Sequence, residues 1–332
     1  MTALLPLAVT MGEPAGVGGE LSLKAWLARK EATRPFFVLD DPARLAALAL
    51  GLGLKVPLKE IARPAQAVDV FPTALPVLPV RLRTPALPGR PDPANAPATL
   101  QSIETAAILA KAGAIAGFAT NPIQKKTLQD AGFKHPGHTE FLAELAGGAD
   151  VAMMLACPEL RVVPATIHLS LAEAVRVLDP ATILRAGRIA AAGLKSLFGI
   201  PRPRLAVAAL NPHAGEQGTM GDEENRIIAP AIADLRKEGI EVRGPAPADT
   251  LFHPAARETY DAAICMYHDQ ALIPIKTIDF SGGVNVTLGL PFVRTSPDHG
   301  TALDIAGTGR ADPTSLVAAL AMADDMARRR KT

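Results

Sequence analysis

Residues 204–239, RLAVAALNPHAGEQGTMGDEENRIIAPAIADLRKEG, decide the fold class. The opening RLAVAAL is largely apolar and is typical of a buried strand. From Asp222 onward the stretch predicts a helix, because acids occupy its first turn and bases lie near its end, as the helix dipole favours. A strand followed directly by a helix is the repeating unit of an α/β protein.

The same alternation runs along the rest of the chain. Strands are predicted at LPLAVT, FFVLD, AIAGFAT and DAAICMY, and helices at TLQSIETAAILAKAG, PATILRAGRIAAAGLKSLFG and PTSLVAALAMADDMARRRK. We therefore expect an α/β fold with a mostly parallel, helix-covered sheet. VAMMLA and RVVPATIHL predict a hairpin. Residues 57–98 are rich in proline, which predicts irregular connections and edge strands; a flexible linker is the alternative.

Composition excludes several classes of protein. The 332 residues suffice for two domains, and 48% apolar with 20% charged residues suits a packed enzyme. A net charge of +1 gives no reason to expect a nucleic acid or a membrane as partner. The N-terminus lacks a basic region before its apolar residues, so we expect no signal peptide and a cytoplasmic location. Cys157 and Cys265 are expected to be free and buried.

Three histidines follow strand-like runs. They are His168 after RVVPATI, His213 after RLAVAAL and His268 after DAAICMY. In parallel sheets, ligands gather beyond the carboxyl ends of strands, and neutral imidazole is the commonest metal ligand. A histidine satisfied within a core or loop is the alternative for each one alone. No HExxH or CxxC pair is present, so an all-histidine site with an open position, suited to Zn²⁺ or Co²⁺, is the metal site that the pattern favours.

Two further groups of residues suit an anion. Thr139, with His138 beside it, is placed to cap a helix EFLAEL whose N-terminus would attract phosphate or carboxylate; a plain helix cap is the alternative. Lys276, Asn285 and Arg294 follow one another among apolar runs. Lysine and arginine there suit a carboxylate or phosphate, with solvated surface charges as the alternative.

The glycine-rich loops are weaker signals. MGEPAGVGGE and GEQGTMGDEE match neither a dinucleotide fingerprint nor a P-loop. The polar loop from His299 to Asp312 is a stronger indication of a binding site, because long loops without regular structure are uncommon unless they have a function. Its backbone N–H groups would suit a nucleotide.

Six motifs carry a resemblance to a known family: TMGEPAGVGGEL, GHTEFLAEL, TIHLSL, LNPHAGEQGTMGDEE, MYHDQALIPIK and GVNVTLGLPFVRTSPDHGTALDIAGTGRADPTSLVAAL. Taken together, they resemble the 4-hydroxythreonine-4-phosphate dehydrogenase family of vitamin B6 biosynthesis. They span nearly the whole chain in the family's order. The resemblance implies a two-domain fold like that of isocitrate and isopropylmalate dehydrogenases, not a Rossmann fold. We expect residues 1–135 with 285–332 to form the nucleotide-binding side, and 136–284 to form the domain for metal, substrate and dimerisation.

The resemblance also implies roles for particular residues. The family is a homodimer with its active site at the subunit interface, and a divalent metal (Zn, Mg or Co) is held there by three histidines shared between subunits, here His168, His213 and His268. Asp249 and Asp269 are our candidates for orienting these histidines or for transferring protons. The positions that match the family's substrate contacts are His138, Thr139, Lys276, Asn285 and Arg294. The loop similar to the adenosine loop of isopropylmalate dehydrogenases would hold NAD or NADP through His299, Gly300, Asp304, Ala306, Gly307 and Asp312.

The implied reaction is oxidation of the C3 hydroxyl of 4-hydroxythreonine 4-phosphate by NAD⁺, followed by decarboxylation to 3-amino-2-oxopropyl phosphate. The sequence departs from the family's usual pattern at Glu13 and Gly19, where Asp and Pro are common, and the proline-rich region matches poorly. Two alternatives therefore stay open. One is a related dehydrogenase acting on erythronate or threonate 4-phosphate or on an aromatic cis-dihydrodiol, and the other is a non-catalytic metabolite-binding protein.

Overall fold

The computed structural model describes residues 4–330, which contain twelve strands and thirteen α-helices. The strands are β1 (Leu7–Thr10), β2 (Phe36–Asp40), β3 (Leu58–Glu60), β4 (Leu75–Pro79), β5 (Gly117–Thr120), β6 (Ala152–Cys157), β7 (Leu160–Pro164), β8 (Arg204–Ala208), β9 (Glu241–Ala246), β10 (Ala262–Cys265), β11 (Val284–Leu288) and β12 (Arg294–Pro297).

The helices are α1 (Gly18–Leu27), α2 (Pro42–Gly51), α3 (Gln66–Val70), α4 (Ala96–Lys111), α5 (Lys125–Asp130), α6 (His138–Leu145), α7 (Leu171–Val177), α8 (Pro180–Ser196), α9 (Ala229–Lys237), α10 (Ala248–Leu251), α11 (Pro254–Arg257), α12 (His268–Ile278) and α13 (Thr314–Arg329). No helix within residues 4–330 has both the length and the apolar character that a membrane span requires. Cys157 and Cys265 are free and buried, as the sequence predicts.

The chain divides into two compact units. Unit 1 contains the chain up to Ala149 together with Leu290–Arg328, and unit 2 contains Asp150–Gly289 together with the few residues from Arg329 onward. The sequence-based division lies at 135/136 and 284/285 instead. Unit 1 is therefore assembled from two long separate stretches of chain, whereas unit 2 consists of one long stretch and a few residues at the end of the chain.

The sheet of unit 1 is entirely parallel. Its strand order is β3-β4-β2-β1-β5-β12, and Ala8 in β1 pairs with Phe37 on one side and Phe118 on the other. Both phenylalanines are completely buried, which is expected of parallel strands covered by helices on both faces. Asp41 begins α2 by accepting hydrogen bonds from the backbone N–H groups of Ala43 and Arg44, with Pro42 at the first helical position.

One strand of unit 1 corrects the sequence analysis. The proline-rich region supplies one edge strand, β3, as expected, but β4 in the same region pairs on both sides, with β2 and with β3. The prolines are tolerated because the residues next to them donate the backbone hydrogen bonds to the neighbouring strands. Leu75 N donates to Pro57 O at 2.8 Å, and Val80 N donates to Asp40 O at 3.0 Å.

The sheet of unit 2 is mixed. Its order is β11-β6-β7-β10-β8-β9, in which β10 pairs in parallel with β7 and β8. β6 and β7 form the predicted antiparallel hairpin, with Leu155 opposite Val162. These parallel central strands bring the segments that follow β7, β8 and β10 to one edge of the sheet. The prediction of a mostly parallel α/β fold is confirmed.

Candidate active site

Unit 2 brings two of the three predicted metal-binding histidines together. The ring centroids of His168 and His268 are 6.1 Å apart. Both residues line a cavity of about 250 Å³, whose walls also include Thr166, Tyr267 and Asp269. Two imidazoles on one cavity form a donor set that suits Zn²⁺ or Co²⁺ better than Mg²⁺, which prefers oxygen ligands.

His268 is the first residue of α12, which is separated from the end of β10 by only two residues. Gln270 explains the abrupt turn, because its buried side chain accepts a hydrogen bond from Met266 N and donates one to Ala209 O, both at 2.7 Å. Asp269 Oδ1 lies 2.7 Å from His268 Nδ1. With Nδ1–H donated to that carboxylate, the lone pair is on Nε2, the arrangement that orients histidine ligands toward metals.

His168 lies in the loop between β7 and α7 in a left-handed backbone conformation, with φ 54°. Such conformations cost about 1–3 kcal/mol for residues other than glycine and persist where the surroundings impose them. Two hydrogen bonds tie this loop to the end of β10. Ala165 N donates to Cys265 O, and Thr166 Oγ1 donates to Met266 O, both at 2.7 Å. The loop of His168 and the start of α12 are therefore held as one assembly.

His213 does not complete a three-ligand group with the other two histidines. Within residues 4–330, no three His, Cys, Asp or Glu side chains converge closely enough to hold a metal ion. His213 lies in the segment Pro212–Gly218 after β8, also with a φ of 54°. Asp249 is exposed in α10, a helix that packs against this segment. The three-histidine site and the role of Asp249 stay predictions.

Lys276 and Asn285 also belong to unit 2. Lys276 is in the last turn of α12, and its Nζ lies 5.1 Å from the ring centroid of Phe280, which is 76% exposed. Asn285 is in β11, and its Oδ1 is enclosed with no hydrogen-bond partner among the described residues. An enclosed acceptor without a donor is costly, so this atom suits a donor on a bound ligand.

In unit 1, Arg294 supplies a buried cation. It is the first residue of β12, is 3% exposed, and donates from Nη2 to Thr120 Oγ1 at 2.6 Å. Burial lowers the pKa of its guanidinium to about 10, so the group remains charged near neutral pH. A buried cation beside a helix N-terminus is a strong attractor of phosphate or carboxylate.

That helix is α6, whose first residue is His138. Burial lowers the pKa of His138 well below its ordinary value, and the charges of Arg294 and Lys125 lower it further. The imidazole is therefore neutral at pH 7. Its Nε2 is enclosed and has no hydrogen-bond partner among the described residues. A neutral ring between two cations can offer a hydrogen bond to an anion without adding a third positive charge.

Thr139 is the second residue of α6 and not its cap. The N-cap is Gly137, in an extended conformation, and no side chain caps the helix. The helix thus begins two residues earlier than the cap prediction required. As a consequence, the uncapped N–H groups of the first turn stay available to an anion.

Thr120 and Lys125 also belong to this group, although neither was predicted from the sequence. Thr120 is the last residue of β5, a predicted strand, and a polar residue at a strand end is the signal that would have found it. Lys125 is the first residue of α5, and its Nζ would lie 3.7 Å from a Cβ at Gly137. No sequence signal separates Lys125 from the adjacent Lys126.

The loop between β12 and α13 carries the predicted cofactor residues. His299 and Gly300 are exposed, with His299 Nδ1 2.9 Å from Gly300 O, and Asp304 is exposed whereas Ala306 is buried. Asp312 accepts hydrogen bonds from the N–H and hydroxyl of Thr314, which lower the pKa of its carboxyl. Gly307 lines a cavity of about 560 Å³ between α2 and residues 82–88. That volume is within the range of ligand pockets.

An ion pair on α1 holds this loop in place. Lys24 Nζ lies 2.7 Å from Glu20 Oε1, and it donates to the carbonyls of Gly309 and Ala311 at 2.7 and 2.6 Å. Glu20 Oε1 in turn accepts from Ala311 N at 3.1 Å. The loop predicted to hold NAD is thus fixed to α1 by three hydrogen bonds.

Comparisons with known proteins agree in their result. The family model described as pyridoxal phosphate biosynthetic protein PdxA matches residues 31–323. The 4-hydroxythreonine-4-phosphate dehydrogenase of Bradyrhizobium diazoefficiens is 53% identical, with 98% of each chain covered. The crystal structure of the enzyme of that name from Klebsiella pneumoniae has a TM-score of 0.89 at 40% identity, covering 97% of this chain and 99% of that one. A terephthalate 1,2-cis-dihydrodiol dehydrogenase from Burkholderia xenovorans has a TM-score of 0.63 at 30% identity, with 94% and 95% covered.

Proposed function

Because the chain belongs to the PdxA family of pyridoxal phosphate biosynthetic proteins, we propose that it is an oxidoreductase that acts on 4-hydroxythreonine 4-phosphate. The observation that carries this proposal is the 53% identity over 98% of the chain to an enzyme of that name. The Klebsiella pneumoniae structure supports it with a TM-score of 0.89. A cytoplasmic location fits a small-molecule substrate of this kind.

The reaction we propose transfers hydride from C3 of the substrate to NAD⁺ or NADP⁺ while the C3 hydroxyl gives up its proton. The resulting β-keto acid loses CO₂ and takes up a proton at C2, which yields 3-amino-2-oxopropyl phosphate. A divalent metal, held by His168, His213 and His268, would supply Lewis acidity at the C3 oxygen. Asp269 keeps His268 in the tautomer that binds metal, as its 2.7 Å contact with Nδ1 supports.

The substrate's anionic groups would be bound by His138, Thr139, Lys276, Asn285 and Arg294. The buried guanidinium of Arg294 and the uncapped N-terminus of α6 favour a phosphorylated substrate over an uncharged one. Asp249 and Asp269 are the carboxylates proposed for proton transfer. NAD or NADP would contact the loop that holds His299, Gly300, Asp304, Ala306, Gly307 and Asp312.

The substrate is tested by following NADH formation with 4-hydroxythreonine 4-phosphate, erythronate 4-phosphate and an aromatic cis-dihydrodiol. We expect the highest kcat/KM with the first. A preference for the second or third would replace the substrate but keep the reaction class. The Burkholderia xenovorans similarity makes the cis-dihydrodiol the second candidate. No NADH formation with any of them, in the presence of Zn²⁺ or Co²⁺, would favour a binding protein.

We further propose that the protein works as a homodimer and that the three histidines of each site come from both subunits. His213→Ala and His268→Ala variants should each be inactive alone. If His213 is contributed by the partner subunit, mixing them before refolding should restore about a quarter of wild-type activity, because half of the dimers are mixed and each contains one intact site. A mixture as inactive as its components would place His213 and His268 of each site in the same subunit.

A further inference from the structure

The segment that carries His213 has an unusual backbone. His213, Ala214, Gly215, Glu216 and Gln217 are all left-handed, with φ values of 54°, 55°, 73°, 40° and 58°. Left-handed conformations are disfavoured for every residue except glycine, so a run of them does not form without support from its surroundings. What supports this turn also determines where His213 points.

Glu224 provides that support. Its side chain is buried, with the residue 3% exposed. Oε1 accepts hydrogen bonds from Leu210 N at 2.8 Å and Asn211 N at 2.7 Å, and Oε2 accepts one from Asn211 Nδ2 at 3.0 Å. Three N–H donors on one buried carboxylate fix the two residues that precede Pro212 and His213.

Gly215 lets the turn close around that carboxylate. A Cβ at position 215 would lie 2.5 Å from Glu224 Oε2 and 2.9 Å from Gly221 O. Any side chain at this position would displace either the carboxylate or the turn. The carboxylate of Glu224 therefore packs directly against Gly215. Glu224 begins the π-helical turn Glu224–Ile228, and Gly215 lies in the middle of the left-handed run.

From these contacts we propose that Glu224 and Gly215 are positioning residues that hold His213 in its metal-binding orientation. This inference rests on the proposed metal site. It assigns a role to a buried carboxylate that is not among the proposed metal ligands or substrate contacts. Groups that hydrogen-bond directly to a metal ligand typically account for 10–100-fold in metal affinity, and we expect a loss of the same order when the backbone that carries the ligand is released.

The test compares Co²⁺ affinity, by titration calorimetry of metal-free protein, in wild type, Glu224→Gln, Glu224→Ala and Gly215→Ala. In Glu224→Gln the amide oxygen can still accept from the two backbone N–H groups. Its NH₂ group would face Asn211 Nδ2, so two donors oppose each other and the third hydrogen bond is lost. We therefore expect weaker binding by 10–100-fold for Glu224→Ala and Gly215→Ala, and a smaller loss for Glu224→Gln.

Two variants serve as matched controls. Gly239→Ala introduces the same strain, since Gly239 has a φ of 78° with no atom within 4 Å of the added Cβ. Glu241→Gln removes an exposed carboxylate from β9 of the same unit. Both should bind Co²⁺ as wild type does. Amide exchange at residues 211–217, measured without metal, should be faster in Glu224→Gln and unchanged in the controls.

The outcomes separate this inference from the proposed function. Binding equal to wild type in Glu224→Gln and Gly215→Ala, while His213→Ala loses it, overturns the positioning role alone. Absence of Co²⁺ binding in wild type overturns the metal site and this inference together. A loss of metal affinity at unchanged KM for NAD supports it, because general unfolding would reduce both.

Discussion

Replacing His138 by Asn should remove a pH dependence from the stability of unit 1. Burial is the largest cause that lowers the pKa of His138, followed by the charges of Arg294 and Lys125. An imidazole in the unfolded chain takes up a proton below about pH 6.5, whereas the folded one does not. The unfolded state then binds more protons, so stability falls as the pH drops below that value.

The expected size follows from the proton count. One proton changes the free energy of unfolding by about 1.4 kcal/mol per pH unit. Between pH 7.5 and pH 5.5, the free energy of unfolding of wild type should therefore fall by about 1.4 kcal/mol more than that of the variant. Trp26 is the chain's single tryptophan, is 4% exposed and lies in α1, so its fluorescence during urea unfolding reports on unit 1.

The measurement needs phosphate-free buffer, since an anion beside Arg294 would stabilise the folded state by binding it. His253→Asn, at an exposed position in unit 2, is the matched control and should show the wild-type pH dependence. If wild type and His138→Asn differ by the same free energy at pH 7.5 and pH 5.5, His138 is not held neutral and the account of the anion site in unit 1 is wrong.

Three other predictions concern buried groups. Lys24→Met should lower the free energy of unfolding of unit 1 by about 3–5 kcal/mol by Trp26 fluorescence, because it leaves the fully buried Glu20 without its cation; a loss below about 1 kcal/mol, as for exposed pairs, would contradict this. Inorganic phosphate at 100 times its dissociation constant should stabilise wild type by about 2.7 kcal/mol. Arg294→Met should lose most of that gain, and an equal gain in both would remove Arg294 from the anion site. Burial raises the thiol pKa of Cys157 and Cys265, so neither should react with a disulfide reagent until urea unfolds unit 2; fast reaction of the native protein would contradict their burial.

The architecture was largely predictable because it depends on local patterns. Apolar runs, helix dipole signals and the hairpin at residues 152–164 follow from neighbouring residues, and the structure contains them. The proline-rich region was expected to hold only edge strands, and β4 differs because its neighbours on both sides pair with it. The partner strands decide which backbone N–H groups of a strand must donate hydrogen bonds. Those partners are separate segments of the chain, so the prolines of β4 alone do not reveal whether it can pair on both sides.

The candidate site shows the same division. Polar residues at strand ends pointed to His168, His213 and His268, because parallel strands share an edge for their carboxyl ends. The sequence could not indicate that Thr120 would accept from Arg294, since the two are 174 residues apart. Nor could it indicate that Glu224 would be buried beneath a left-handed turn, because a glutamate in the first turn of a predicted helix is usually solvated.

The discontinuity of unit 1 has a consequence for biosynthesis. Its first 149 residues leave the ribosome early. The strand that pairs with β5, which is β12, comes from the end of the chain, and so do the carbonyl groups that accept hydrogen bonds from Lys24. At an elongation rate of about 5–20 residues per second the interval is on the order of 10–30 s. Unit 2 has all its strands between Ala152 and Leu288, so it can complete its sheet in that time. The half translated first thus finishes folding last, and the open edge of β5 is where a nascent chain would need a chaperone's protection.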